Sequence, residues 1–82
     1  HMVRRSSNSV RCRAFLGKPE VIEGMKYGGT RYKYNHGVFI DHTYDGRVSV
    51  TYYRKTGGQY KPVHAEVETL DAAKALACRK AQ

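Results

Sequence analysis

Apolar and polar positions alternate along the middle of the chain, which is typical of half-buried β-strands. Thr and Tyr alternate with Arg and Lys over residues 30–35, and a period of two recurs over residues 38–44, 47–54 and 59–67. Residues 10–16 alternate apolar and basic residues, so they form a further candidate strand at the amino-terminal side.

Turn residues separate the four central segments and predict antiparallel hairpins. Residues 35–37 read Asn-His-Gly, a turn in which a residue can adopt positive φ. Residues 45–46 read Asp-Gly, the two-residue turn that best fits strand twist, and Gly-Gly at 57–58 permits another hairpin. Pro62 cannot donate a ladder hydrogen bond, so the last strand belongs at a sheet edge, where a simple meander ends.

A helical pattern follows the last strand. Thr69 is placed to cap it, and apolar residues recur at steps of three and four from Leu70 to Ala77. The sequence therefore predicts an α+β fold. It consists of an antiparallel four-stranded meander, or a five-stranded one if residues 10–16 join it, with one carboxy-terminal helix packed on one face.

The chain has 82 residues, enough for a single small domain. We assign residues 10–82 to that domain and residues 1–9 to a basic amino-terminal arm, with His1 taken as a cloning remnant. The net charge is +8, and it is unevenly spread. Residues 1–61 hold 12 Lys or Arg against 4 Asp or Glu, whereas residues 62–82 hold three of each kind. Such a surface favours nucleic acid, anionic lipid or an acidic protein as partner.

Several other classes are not favoured by the sequence. No apolar run is long enough to span a membrane, so we expect no membrane partner. Cys12 and Cys78 match no disulfide framework or CxxC pattern, so free thiols in a reducing cytoplasm are expected over a single bridge between the chain ends. His36, His42 and His64 match no zinc spacing, and we expect neither a metal nor a cofactor.

Alternation along the strands predicts which side chains share a face of the sheet. The predicted core under the helix comprises Val38, Ile40, Val48, Val50, Val63, Ala65, Val67, Leu70, Ala73 and Leu76. The opposite face is rich in Arg, Lys, Ser, Thr and Tyr, which can donate hydrogen bonds to phosphates and base edges. An ordinary solvated sheet face has a similar composition. The predicted nucleic-acid-binding residues, in the strands and within residues 3–13, are Arg4, Arg5, Arg11, Arg13, Arg31, Lys33, Arg47, Ser49, Tyr53, Arg54 and Lys55.

Three short motifs occur in a suggestive order. Residues 27–31 read Tyr-Gly-Gly-Thr-Arg, residues 37–40 read Gly-Val-Phe-Ile, and residues 69–77 read Thr-Leu-Asp-Ala-Ala-Lys-Ala-Leu-Ala. Together they resemble the AP2-type DNA-binding domain and the similar amino-terminal arm-binding domain of tyrosine integrases. In those families a three-stranded sheet enters the major groove and a carboxy-terminal helix packs behind it. The resemblance implies groove-facing roles for Arg31, Lys33, Arg47, Ser49 and Tyr53.

The leading hypothesis is a non-catalytic nucleic-acid-binding module, with duplex DNA favoured over RNA. A second hypothesis is a small phage or mobile-element protein that binds and modulates a host protein through exposed aromatics such as Phe39 and Tyr53. A third is a small basic ribonuclease of toxin type. In that case His64 would act as base, with Tyr53, Arg54 and Lys55 nearby.

Overall fold

The computed structural model describes residues 10–24 and 28–81 and shows an open, five-stranded antiparallel sheet in the order β1-β2-β3-β4-β5. The arm of residues 1–9, with Arg4 and Arg5, and the Tyr27 position of the first motif lie outside the described residues. The predicted α+β meander with a carboxy-terminal helix is confirmed, and β5 with its proline lies at an edge. The elements are a helix α1 (residues 10–16), β1 (Glu20–Glu23), β2 (Thr30–Lys33), β3 (Phe39–His42), β4 (Val48–Thr56), β5 (Gln59–Val67) and α2 (Leu70–Ala81).

The strand predicted for residues 10–16 is wrong, because this segment is helical. Arg, Ala and Leu all favour helix, and this preference outweighs the short alternation of apolar and basic residues. Gly17 ends the helix: it adopts a φ of +76° and its amide donates to the carbonyl oxygen of Arg13 at 2.8 Å. This is the left-handed glycine cap that commonly terminates helices.

The fifth strand comes instead from Glu20–Glu23, a segment for which the sequence pattern predicted no strand. It pairs with β2 and forms the second edge of the sheet.

The turn between β3 and β4 also differs from the two-residue prediction. The amide of Thr43 donates a 2.9 Å hydrogen bond to the carbonyl oxygen of Arg47 and closes the turn, and Gly46 adopts a φ of +93°. It is therefore a three-residue loop with glycine in its left-handed position.

The core lies between the sheet and α2. Val38, Ile40 and Val50 are fully buried beneath Ala73 and Ala77, whose small side chains allow the helix to lie close to the sheet. Thr69 caps α2 as predicted, since its hydroxyl accepts a 3.0 Å hydrogen bond from the amide of Ala72. Burial also extends to Leu16, Tyr34, Tyr52, Ala77 and Cys78. Within residues 10–24 and 28–81, no helix combines the length and apolarity that crossing a bilayer requires.

The free thiols predicted for Cys12 and Cys78 are also wrong. The two cysteines form a disulfide whose Cα atoms are 5.5 Å apart, and it joins α1 to the last turns of α2. Their separation of 66 residues gave no spacing motif in the sequence. The pairing depends on α1 folding back over α2, which a strand at residues 10–16 would not have placed there.

Candidate nucleic-acid interface

The strand register determines which polar side chains share the face turned away from α2. One row across the sheet contains Arg31, Asp41, Ser49 and Glu66, and the neighbouring row contains Lys33, Phe39, Thr51 and His64. Arg31, Lys33 and Ser49 therefore lie on the solvent face to which the sequence analysis assigned them. Asp41 and Glu66 both lie in the first row and offset the charges of Arg31 and Lys33, so the centre of this face has no net positive charge.

Arg31 is engaged within the protein. Its Nε and Nη2 atoms donate to the two carboxylate oxygens of Asp41 at 2.6 and 3.0 Å, and its guanidinium lies 5.0 Å from the centre of the Phe39 ring. The hydrogen bond to Asp41 raises the pKa of Arg31 above its ordinary value, and burial opposes this with a smaller effect. A phosphate approaching Arg31 would have to compete with this two-pronged pair.

Arg47 lies in the β3–β4 turn, beside Asp45 at 3.7 Å. The Thr43 hydroxyl donates to Asp45, and this bond lowers the pKa of the Asp45 carboxyl group. Arg47 immediately precedes β4 and Lys55 lies near the other end of that strand, so at about 3.4 Å per residue their Cα atoms are roughly 27 Å apart. The structure thus divides the predicted contact residues into two groups. Arg31, Arg47 and Ser49 lie towards one end of the sheet, and Tyr53, Arg54 and Lys55 lie towards the other.

The second group belongs to a cleft at the end of the β4–β5 hairpin. This hairpin continues beyond β3, whose pairing with β4 stops at Thr51, and the Gly57-Gly58 turn closes it. The last turn of α2 lies beside it, and strand and helix residues together line a solvent-open space of about 460 Å³. Two-stranded ribbons twist strongly, which lets residues from both faces of the hairpin reach this space. The lining residues of what we call the cationic cleft are Tyr53, Arg54, Lys55, Tyr60, Arg79, Lys80 and Ala81.

Positive charge in the cationic cleft is not neutralised by neighbouring acids. Four of the lining side chains are cations, and a fifth cation, Lys61, pairs with Arg54 across the hairpin. Among the described residues, no Asp or Glu side chain forms an ion pair with any of the five. Arg54, Lys55, Lys61, Arg79 and Lys80 are all solvent-exposed. This density of unpaired cations suits a ligand carrying several negative charges.

Sequence reasoning found Tyr53, Arg54 and Lys55 but missed their partners on β5 and α2. The balanced charge of residues 62–82 hid Arg79 and Lys80, because an average over a segment ignores where each charge lies. The acids of that segment precede or begin α2, with Asp71 in its first turn, whereas Arg79 and Lys80 occupy its last turn. Charge segregation along the helix was the signal that could have revealed them.

Arg11 and Arg13 are exposed on α1, which the disulfide fixes to α2 one residue before Arg79. Residues two apart in a helix point in directions about 200° apart, so these two arginines do not share a face as they would in a strand. Arg13 instead borders a separate groove between α1 and α2, which Asp71 also lines.

The three histidines are dispersed. His36 sits in the turn after β2 and stacks on Phe15, with ring centres 4.1 Å apart, and His42 ends β3. His64 lies on β5, where its Nδ1 shares a 2.8 Å hydrogen bond with the Thr51 hydroxyl. In the described part of the chain, no three His, Cys, Asp or Glu side chains form a cluster suited to a metal ion.

Comparisons of this chain with protein-family models, with curated proteins and with solved structures find no match. The resemblance to AP2-type and integrase arm-binding domains stays a prediction based on its short motifs.

Proposed function

We propose that this protein is a non-catalytic nucleic-acid-binding module that holds phosphates in the cationic cleft. The observation that carries the proposal is the group of five exposed cations, on three elements, without a carboxylate partner among the described residues. Contacts to phosphate dominate the affinity of proteins for nucleic acid, and Lys and Arg are the side chains that make them. The net charge of +8 adds long-range attraction.

The location of the contacts differs from the initial hypothesis, which placed them across the open sheet face. Arg31 is bonded to Asp41 and Arg47 lies beside Asp45, so we assign the main phosphate contacts to the hairpin and the end of α2. Arg11 supplies a further exposed cation on the helix that the disulfide holds against α2. Duplex DNA, favoured by the sequence, and single strands both present phosphates to such a cleft.

The cytoplasmic location expected from cysteine usage stays a prediction, and the disulfide counts against it. Disulfides persist mainly in oxidising compartments, because glutathione and thioredoxin reduce them in the cytosol. Phosphate binding itself requires neither compartment.

The experiment is fluorescence anisotropy with a labelled 20-base-pair DNA duplex and its single strand, measured from about 50 to 200 mM salt. Five phosphate contacts predict a slope of log affinity against log salt of about −4 to −5 on the duplex. Lys80→Ala should weaken binding and flatten the slope by about 0.9. Lys74→Ala is the matched control, since it removes the same charge from the same helix, six residues from the cleft.

Four outcomes would contradict the proposal. Affinity that does not change with salt would show that phosphates are not the ligand. Equal losses for Lys80→Ala and Lys74→Ala would place binding elsewhere on the protein. Shortening of an RNA probe that His64→Ala abolishes would favour the ribonuclease hypothesis, and absence of binding to every probe would leave the host-protein partner as the better hypothesis.

A further inference from the structure

Tyr53 and Tyr60 lie on one face of the β4–β5 hairpin, and both line the cationic cleft. Tyr53 pairs with Pro62, and two residues further along Lys55 pairs with Tyr60, so Tyr53 and Tyr60 are diagonal neighbours. Diagonal neighbours on one face of an antiparallel pair lie about 7–8 Å apart. The tyrosines are therefore spaced along the hairpin, and Lys55 lies directly across from Tyr60 on the same face.

Both tyrosines expose more of their surface than packing in the core would require. Tyr60 is 69 % exposed and Tyr53 is 39 % exposed, and neither belongs to the core cluster. The Tyr53 ring packs against Gly37, where an added Cβ atom would lie only 2.9 Å from the ring. The Lys55 Nζ atom is 6.0 Å from the centre of the Tyr60 ring. Exposed aromatic rings thus stand among the cations of the cleft.

Ring faces and cations together distinguish two forms of nucleic acid. In a duplex the faces of the bases are stacked on one another, and a protein reaches only phosphates, sugars and base edges. In a single strand the base faces are accessible, and proteins that bind single strands stack them on aromatic side chains beside a positively charged groove. Two exposed rings would be unused on a duplex but have a direct role on unpaired bases.

We propose that the cationic cleft binds single-stranded nucleic acid, with unpaired bases stacked on Tyr60 and Tyr53 and the adjoining phosphates held by Arg54, Arg79 and Lys80. This inference rests on the proposed function and specifies its substrate class. Tyr60 is the main stacking surface because it is the more exposed ring. Stacking is tolerant of sequence, since every base has an aromatic face, so the site discriminates paired from unpaired bases and not one base from another.

The test compares Tyr60→Phe with Tyr60→Ala on fluorescently labelled 12-base single-stranded DNA, single-stranded RNA and duplex DNA. Tyr60→Ala removes the ring, and at about 1–3 kcal/mol per stacked base it should weaken single-strand binding roughly 5- to 160-fold. Tyr60→Phe keeps the ring and should bind about as tightly as the unchanged protein. Neither change should alter duplex affinity, because phosphates alone are contacted there. Far-UV circular dichroism of both variants checks that the hairpin, where Tyr60 is exposed, remains folded.

Each result decides the inference separately from the proposed function. Unchanged single-strand affinity for Tyr60→Ala, with Lys80→Ala still weakening binding, would overturn stacking and leave phosphate binding intact. Equal losses for Tyr60→Phe and Tyr60→Ala would assign the effect to the hydroxyl group and also overturn stacking. Absence of salt-dependent binding to all three probes would overturn both.

Discussion

Reduction of the Cys12–Cys78 disulfide should remove a large part of the stability of this small domain. The bridge closes a loop with a sequence separation of 66 residues. The chain-entropy relation for such a loop gives a stabilisation of about 4 kcal/mol, acting mainly by restricting the unfolded chain. Folded proteins are stable by about 0.05–0.15 kcal/mol per residue, which is roughly 4–12 kcal/mol for a chain of this length. The reduced protein should therefore be marginal.

The assay is urea unfolding followed by far-UV circular dichroism, which suits a chain without Trp. With a dependence of about 1–3 kcal/mol per molar urea, loss of the bridge should lower the midpoint by roughly 1.3–4 M. The Cys12→Ala and Cys78→Ala double variant should reproduce the effect of a reducing agent and should not respond to that agent further. A midpoint that reductant leaves unchanged, together with two reactive thiols in the unreduced denatured protein, would refute the reasoning.

Three further changes test the packing of the sheet. Ile40→Ala, at a fully buried position, should cost about 2–5 kcal/mol in urea unfolding. Gly29→Ala should lower the free energy of unfolding by more than about 1 kcal/mol, because φ is +110° and the new Cβ would lie 2.6 Å from the carbonyl oxygen of His42. Gly46→Ala should lower it less, because Gly46 has a positive φ but open space around its Cβ position. Burial raises the pKa of Tyr34, and the neighbouring Tyr32 adds a smaller effect in the same direction. The contribution of neutral Tyr34 to stability is therefore complete below pH 10 and is lost as the pH rises through the folded-state pKa. Tyr34→Phe should flatten that alkaline loss in unfolding curves, and identical curves would exclude Tyr34 as its source.

Strands β2 to β5 and the carboxy-terminal helix could be predicted because local signals agreed with the tertiary structure. Gly57-Gly58 adopts positive φ at both positions and closes the last hairpin, and Thr69 caps α2. At residues 10–16 two local signals disagree: the alternation predicts a strand, whereas helix propensity and the Gly17 cap favour the helix that forms. The disulfide was missed because a separation of 66 residues leaves no spacing motif in the sequence.

The candidate site was less predictable than the fold. Alternation along a strand indicates the face on which Arg31 lies, but not that Asp41 occupies its guanidinium. Pairings of this kind depend on register, which the turn lengths decide. The cationic cleft joins β4 to the end of α2, and a contact between elements so far apart in sequence leaves no local pattern.

The salt dependence of single-strand binding by the Arg54→Ala and Arg79→Ala double variant tests the central claim most directly. It removes one cation from the hairpin and one from α2, both of which line the cationic cleft. If both hold phosphate, the slope of log affinity against log salt on single-stranded DNA should become about 1.4 less steep than that of the unchanged protein. Parallel salt plots for the two proteins would contradict the assignment of phosphate binding to this cleft.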